Sequence, residues 1–289
     1  MTINSFPNVL MIAPDVNADD VGEAFVAYKW AHELSQKCRL TLIALQREDQ
    51  RPIAHTLPYA EVVTWPMPKR YARRSRFNSM FKPYYPYFAR KVRSFAETSF
   101  RNGRMWDIAH QLMPLAARYP SPLRHLGLPY VIGPIGGTIK TPKGFEAEVT
   151  GAPTFTRLRQ LDHFRFRHDP MLRASYRNAS MVLGVASYVR DHIQSMGIKN
   201  FVPMLELGVD DVPPPLFREA EPGKLKMLHV GRAVRTKGLR DVVRALSLLK
   251  DYPDITLTSA GGGEDLDVCK QLANDLGCWM SPRTDPAAI

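Results

Sequence analysis

The sequence is poor in cysteine, and its three cysteines form no recognisable metal or disulfide pattern. Cys38, Cys269 and Cys278 include no Cys-x-x-Cys pair, which argues against a zinc site or a disulfide framework and favours reduced thiols in the cytoplasm. No apolar run is long enough to span a bilayer. The run VLMIAP at 9–14 is also too short for a signal peptide. We therefore expect a cytoplasmic chain that does not cross a membrane.

The two common phosphate-binding glycine motifs are absent as well. Neither Gly-x-Gly-x-x-Gly nor Gly-x-x-x-x-Gly-Lys-[Ser/Thr] occurs in the 289 residues, which excludes the usual dinucleotide and P-loop patterns. A chain of this length has room for two domains, each with a core of its own.

Short apolar runs that alternate with helical patterns predict an α/β protein. Asp20-x-x-Glu23 has the spacing of a capping box, and Val26, Trp30 and Leu34 repeat at i, i+4 and i+8, which predicts a helix. The alternation favours a parallel sheet covered on both faces. The predicted elements are strands at 9–14, 40–45, 61–65, 107–112, 130–137, 181–186 and 201–207, and a helix at 20–36.

A second α/β unit follows a segment rich in proline and charge. VPPPLFREAEPGK at 212–224 is typical of a linker, here between a domain at 1–211 and a domain at 225–289. The tail CWMSPRTDPAAI at 278–289 shows no strand pattern, so we expect the second sheet to have only two strands. The predicted elements are strands at 227–230 and 255–260, a turn Gly261-Gly262-Gly263, and helices at 237–250 and 264–276.

Two cations stand where the first helix of this second unit begins. Arg232 follows the first strand and Lys237 precedes the helix, whose N-terminus favours negative charge. The carboxyl ends of neighbouring parallel strands share one edge of a sheet, so the glycine turn at 261–263 is expected beside these cations. The arrangement predicts a diphosphate site. The alternative is a solvated basic helix start next to a tight turn.

Residues 69–104 concentrate positive charge and aromatic rings. This stretch holds eleven Lys or Arg, nine aromatic residues and a single acid, Glu97. Such a composition suits a nucleic acid or an anionic membrane surface. It also suits a solvated helical face whose aromatic rings pack inward. Composition leaves the three interpretations open.

Ordered motifs along the chain resemble those of the retaining, GT-B-fold glycosyltransferases of family 4. LHVGRAVRTKGLRDVVRALSLLKDYPDITLTSAGGGED at 228–265 resembles the start of their donor domain. His110-Gln111-x-x-Pro114 and the Gly-Pro-x-Gly-Gly at 133–137 match a subgroup that builds cell-surface polysaccharides. The resemblance implies an α/β chain of GT-B type, with two Rossmann-like domains facing a cleft and the C-terminal one incomplete.

The resemblance also implies roles for individual residues. Two cations would hold the diphosphate of a nucleotide sugar and stabilise its departure, glycines of both domains would approach the donor, and a histidine would lie near the transferred sugar. Neither a metal nor a cofactor is implied. The implied catalytic residues are His110, Arg232 and Lys237, and the implied donor-binding residues are Gly22, Gly136, Gly137, Gly261 and Gly263.

The implied reaction moves a hexose from a UDP- or GDP-sugar to a polyprenyl-linked saccharide acceptor. The enzyme would be cytoplasmic and peripheral on the inner face of the cell membrane, with Arg73, Arg74 and Arg76 toward anionic lipid, and no nucleic acid partner is expected. The Glu-x7-Glu segment of the family has no counterpart in this sequence. We therefore expect a truncated donor domain with impaired transfer. The alternative function is a non-catalytic acceptor- or membrane-binding module.

Overall fold

The chain divides into two compact units, Met1–Asp210 and Asp211–Ile289. The computed structural model describes residues 6–72, 76–137, 144, 161–209, 214–215, 221–249, 251–252, 254–278 and 280–283. Arg73, Arg74 and most of the predicted linker lie outside these residues. Within the described ranges, none of the helices combines the length and the apolar character that a membrane span requires.

The first unit is built on a seven-stranded parallel sheet in the order β3-β2-β1-β4-β5-β6-β7. All seven strands predicted from the apolar runs are confirmed. The strand order reverses between β1 and β4, and ligands of open α/β sheets bind at the carboxyl ends of the strands at such a reversal. The strands are β1 (Asn8–Ile12), β2 (Arg39–Gln46), β3 (Glu61–Pro66), β4 (Ile108–Gln111), β5 (Tyr130–Ile135), β6 (Met181–Gly184) and β7 (Phe201–Pro203).

Helices cover both faces of this sheet, because its central strands are apolar on both faces. In β2 the neighbouring residues Leu42 and Ile43 are both fully buried, and they belong to separate hydrophobic clusters. Successive side chains of a strand point to opposite faces, so the two clusters are the two sides of the sheet. The helices are α1 (Glu23–Ser35), α2 (Ile53–Thr56), α3 (Lys69–Ala72), α4 (Arg76–Phe81), α5 (Tyr85–Arg101), α6 (Leu161–His168), α7 (Pro170–Arg177) and α8 (Tyr188–Ile193).

The start of α1 differs from the prediction. Its N-cap is Gly22, with φ 71°, and no side chain caps the helix, so the predicted capping box of Asp20 and Glu23 is wrong. Glu23 instead forms an ion pair of 3.0 Å with Lys82, far along the chain. The apolar stripe of the helix does pack on the sheet as expected, with Val26 buried.

The second unit is a three-stranded parallel sheet in the order β10-β9-β8, so the prediction of two strands is wrong. The tail contributes β10, which pairs in parallel with β9. Pro282 in β10 is compatible with an edge strand, where an N–H is dispensable. Leu239, Val243 and Leu246 pack against Leu257 of the sheet. The elements are β8 (Leu225–Val230), α9 (Leu239–Ser247), β9 (Ile255–Ala260), α10 (Leu266–Asp275) and β10 (Met280–Arg283).

Candidate functional site

Two loops meet at the carboxyl edge of the second unit's sheet. The β8–α9 loop spans 231–238 and the β9–α10 loop spans 261–265. Backbone hydrogen bonds join them, since the N–H of Ala233 donates to Gly262 O at 2.9 Å and the N–H of Asp265 donates to Ala233 O at 2.9 Å. The prediction that the glycine turn lies beside the start of α9 is confirmed.

Only glycine fits at two positions of this turn. Gly261 and Gly263 have φ of 119° and 158°, a region that side chains rarely adopt. A Cβ on Gly261 would overlap the carbonyl oxygen of Gly231, and one on Gly263 would overlap that of Ala233. The two loops are therefore in direct backbone contact. Gly262 differs, because a Cβ there would meet nothing within 4 Å.

The four cations in and next to the β8–α9 loop fall into two classes. Arg235 forms an ion pair with Asp241 at 3.0 Å. The Nε of Arg240 donates to both carboxylate oxygens of Asp265, at 3.0 Å to Oδ1 and 2.9 Å to Oδ2. Arg232 and Lys237 are exposed, and the side chain of neither has a hydrogen-bond or ion-pair partner among the described residues. Of these four cations, Arg232 and Lys237 are therefore the two whose charge no described acidic side chain neutralises, and they are the two that the sequence analysis predicted.

Asp265 is a residue that sequence reasoning missed. It is buried, and its contact with Arg240 fastens the start of α10 to α9. With Asp267 it has Asp-x-Asp spacing, but Asp267 pairs with Lys270 at 3.1 Å, so the two carboxylates serve different cations. Across the part of the chain that the structure describes, no three His, Cys, Asp or Glu side chains are grouped as a metal site would require.

Three predicted glycines lie at the carboxyl edge of the first unit's sheet. Gly22 precedes α1, and Gly136 and Gly137 follow β5. The N–H of Gly136 donates to Leu115 O at 2.9 Å, which joins the segments after β4 and β5. Gly22 and Gly137 have φ of 71° and 77°, and a Cβ on either would meet nothing within 4 Å. Backbone conformation, and not crowding, favours glycine there, and the space beside both stays open.

His110 lies inside β4, with Met11 and Val131 as its strand neighbours. Its Nε2 lies 2.6 Å from Gly133 O, and because a carbonyl can only accept, Nε2 carries the proton. Burial lowers the pKa of His110 to about 4, so the ring is neutral at pH 7. Trp30 packs edge-on against it at 5.6 Å between ring centroids. The role of His110 beside a transferred sugar stays a prediction.

A buried polar cluster at the end of β1 was also missed by sequence reasoning. Lys82 lies between Asp15 at 3.4 Å and Glu23 at 3.0 Å. The hydroxyl of Tyr84 donates to the same carboxylate of Asp15, and Tyr119 is buried nearby, where burial raises its pKa to about 12. Lys82 and Asp15 are 67 positions apart in the sequence, so no local sequence pattern could reveal the cluster.

The described residues of the basic and aromatic stretch at 69–104 include α3, α4 and α5. Along α5 the rings face inward, with Tyr85 and Phe88 buried in the core. Phe77 on α4 is exposed. Arg73 and Arg74 lie outside the described residues, and Arg76 begins α4. Of the three interpretations, the solvated helical face whose rings pack inward fits α5 best.

Comparison with known proteins gives structural likeness without sequence likeness. No family model and no curated protein matches the chain. The lipopolysaccharide outer core galactosyltransferase WaaB is 14% identical, with a TM-score of 0.54 over 97% of this chain and 69% of WaaB. HepE from Anabaena, in complex with UDP and glucose, is 11% identical, with a TM-score of 0.52 over 96% and 69%. An E. coli trehalose-6-phosphate structure bound with UDP-2-fluoro glucose is 13% identical, with a TM-score of 0.55 over 96% and 73%.

The fold is of the GT-B type. The likeness extends over almost the whole chain, including both the seven-stranded and the three-stranded sheet. At this level of identity it concerns the fold, and the chemistry has to be argued from the residues of each unit.

Proposed function

We propose that this chain is a glycosyltransferase that uses a nucleotide sugar as donor. The observation that carries the proposal is the pair of unneutralised cations, Arg232 and Lys237, beside turns that only glycine can form. Backbone N–H groups, a helix N-terminus and cations together make a site for a phosphate group. The solved structures with UDP or a UDP-sugar bound support a nucleotide sugar as the anion.

The chemistry follows from where charge develops in the reaction. When the sugar leaves, negative charge grows on the diphosphate, and fixed cations stabilise that transition state more than the ground state. Arg232 and Lys237 supply this charge without a metal ion. Their side chains are not engaged by the acids of α9 and α10, so binding requires no ion pair to break.

The proposal also covers the sugar, the stereochemistry and the acceptor of the reaction. We propose that a hexose moves from a UDP- or GDP-sugar, with retention, to a polyprenyl-linked saccharide in cell-surface polysaccharide synthesis. The resemblance of the motifs at His110, Gly136 and Gly137 to that subgroup supports it, as does the lipopolysaccharide role in the names of WaaB and of WaaG. Gly22 and the glycines after β5 would let backbone approach the donor.

Membrane association at the cytoplasmic face is proposed on electrostatic grounds. The net charge of +11 and the exposed Arg70, Arg90 and Arg101 favour anionic lipid, at about 1 kcal/mol for each cation near the surface. Because the rings of α5 pack against the core, attraction of charge and not insertion of aromatics would hold the protein there. Arg73, Arg74 and Arg76 belong to the same stretch.

The donor site is tested by calorimetric titration with UDP-glucose and GDP-mannose. Arg232→Ala and Lys237→Ala should each weaken binding about 10- to 150-fold, since a hydrogen bond to a charged group contributes about 1.5–3 kcal/mol. Where transfer is measured, turnover should fall by roughly 10²- to 10³-fold. Arg244→Ala is the matched control, because Arg244 is exposed on α9 and pairs with Asp241. Equal binding by all three variants would refute the assignment.

A further inference from the structure

Lys82 occupies a backbone conformation that normally belongs to glycine. It follows the last residue of α4 with φ 41°, and among the described residues no other non-glycine residue has a positive φ. Its N–H donates to Asn78 O at 2.9 Å and so closes the end of the helix. Glycine is the usual residue at this position because it has no Cβ to strain. A lysine there indicates that its side chain is needed.

That side chain is buried between two carboxylates. Nζ lies 3.0 Å from Glu23 Oε2 and 3.4 Å from Asp15 Oδ2, and 3.4 Å from the hydroxyl of Tyr84. Burial opposes the charged form, but the charges of Asp15 and Glu23 outweigh it and raise the pKa of Lys82. The ammonium group is therefore retained inside the unit. Oε2 of Glu23 is itself buried, so Lys82 neutralises a carboxylate oxygen that water does not reach.

The two carboxylates stand at opposite ends of one loop. Asp15 lies just beyond β1 and Glu23 is the first residue of α1, so the β1–α1 loop at 13–22 runs between them. Gly22 closes this loop at the point where the strand order of the sheet reverses. One ammonium group thus fastens both ends of the loop at the place where such sheets bind ligands.

We propose that Lys82 is the positioning residue of the β1–α1 loop. Through Asp15 and Glu23 it holds the backbone around Gly22 in the conformation that receives the donor. The step from loop to donor rests on the proposed function, whereas the fastening of the loop does not. Lys82 acts through the two carboxylates and needs no contact with the substrate.

The first measurement is hydrogen exchange without ligand, on peptides that cover 13–24 and β2. Lys82→Met removes the charge and keeps most of the length of the side chain, and it should speed exchange in 13–24 about tenfold or more while β2 is unchanged. Lys82→Arg should restore slow exchange. Arg51→Met is the matched control, because it removes an exposed ion pair, to Asp19, from the same loop.

The second measurement is titration with UDP-glucose at a temperature where every variant is folded. Lys82→Met should weaken binding about tenfold, within the usual range for coupled sites, and Arg51→Met should change it less than about twofold. If Lys82→Met does not fold, Glu23→Gln takes its place, with faster exchange in 13–24 expected.

The two readouts separate the two proposals. Equal acceleration of exchange in 13–24 and in β2 would show that Lys82 only stabilises the unit, and would overturn the positioning role. Loop exchange that matches the wild type in Lys82→Met or Glu23→Gln would overturn it as well. If wild type does not bind UDP-glucose, the proposed function fails, and the exchange data still decide whether Lys82 holds the loop.

Discussion

The glycine turn after β9 allows a sharp test, because adjacent glycines differ in what a methyl group would meet. Gly261→Ala places a Cβ against the backbone of Gly231, 3.0 Å from its carbonyl carbon. Gly262→Ala places the same atom in open space. Both substitutions add one methyl group to the same loop, so Gly262→Ala is the control for Gly261→Ala.

The expected cost of Gly261→Ala has two parts. Forcing a residue with a Cβ into a left-handed conformation costs about 1–2 kcal/mol, and overpacking against fixed backbone costs about 1–3 kcal/mol. The second unit should lose about 2–5 kcal/mol of unfolding free energy, which raises its opening equilibrium roughly 30- to 4,000-fold. Gly262→Ala should be neutral or stabilise by about 0.4–1 kcal/mol, because alanine restricts the unfolded chain.

Two buried cysteines report the opening of each unit separately. Cys269 is fully buried in the second unit, where burial raises its pKa to about 11, and Cys38 is buried in the first unit. Thiols in such surroundings react only when the structure opens. Thiol labelling over a urea series, read by peptide mass, should shift Cys269 in Gly261→Ala and leave Cys38 unchanged. Equal shifts of Cys269 in Gly261→Ala and Gly262→Ala would refute the close-contact argument.

Two further predictions concern the first unit. The pKa of His110 in the folded state, about 4, is below its ordinary 6.5, so the unfolded state binds the extra proton between these values. The contribution of His110 to the free energy of unfolding is therefore complete above pH 6.5 and falls by about 3 kcal/mol toward pH 4. His110→Gln should remove this loss, and the exposed control His55→Gln should keep it. A wild-type plot of unfolding free energy against pH as flat as that of His110→Gln would contradict the burial argument. Co-sedimentation with anionic liposomes should decrease with salt and fall to background when Arg73, Arg74 and Arg76 become Glu, whereas nanomolar binding to single-stranded DNA without liposome binding would favour a nucleic-acid partner.

Elements with a strong local signal were predictable from the sequence. The seven strands of the first sheet are short apolar runs that alternate with helical patterns, which is typical of parallel strands covered on both faces. The turn at 261–263 was predictable as well, because consecutive glycines after a strand indicate close approach of two backbone segments. The likeness to GT-B structures rests on this order of elements.

The failures all involve partners that are distant in sequence. Asp20 and Glu23 have the spacing of a capping box, but the helix begins at Glu23 with Gly22 as its N-cap, and Glu23 forms an ion pair with Lys82 instead. β10 has no apolar pattern of its own, and it becomes a strand because β9 offers an unpaired edge with which its backbone pairs. Local propensity is a weak prior wherever a tertiary partner is available.

The charges of the two units show why a count of cations does not locate an anion site. In the first unit the buried Lys82 is already paired with Asp15 and Glu23, so its charge holds the β1–α1 loop and is not left for a ligand. In the second unit Asp241 and Asp265 neutralise Arg235 and Arg240, and those arginines fasten α9 and α10.

Among the described residues between 231 and 240, Arg232 and Lys237 are then the cations whose charge is left for a ligand. A free cation favours an anion at almost no reorganisation cost, whereas a paired one must first lose a partner, and preorganised charge is what stabilises a departing diphosphate. The acidic residues next to a basic loop therefore determine which of its cations are available to bind the substrate and stabilise the leaving group. Asp241→Asn would remove one negative charge beside the loop, and should increase affinity for UDP-glucose at low salt if charge alone limits binding.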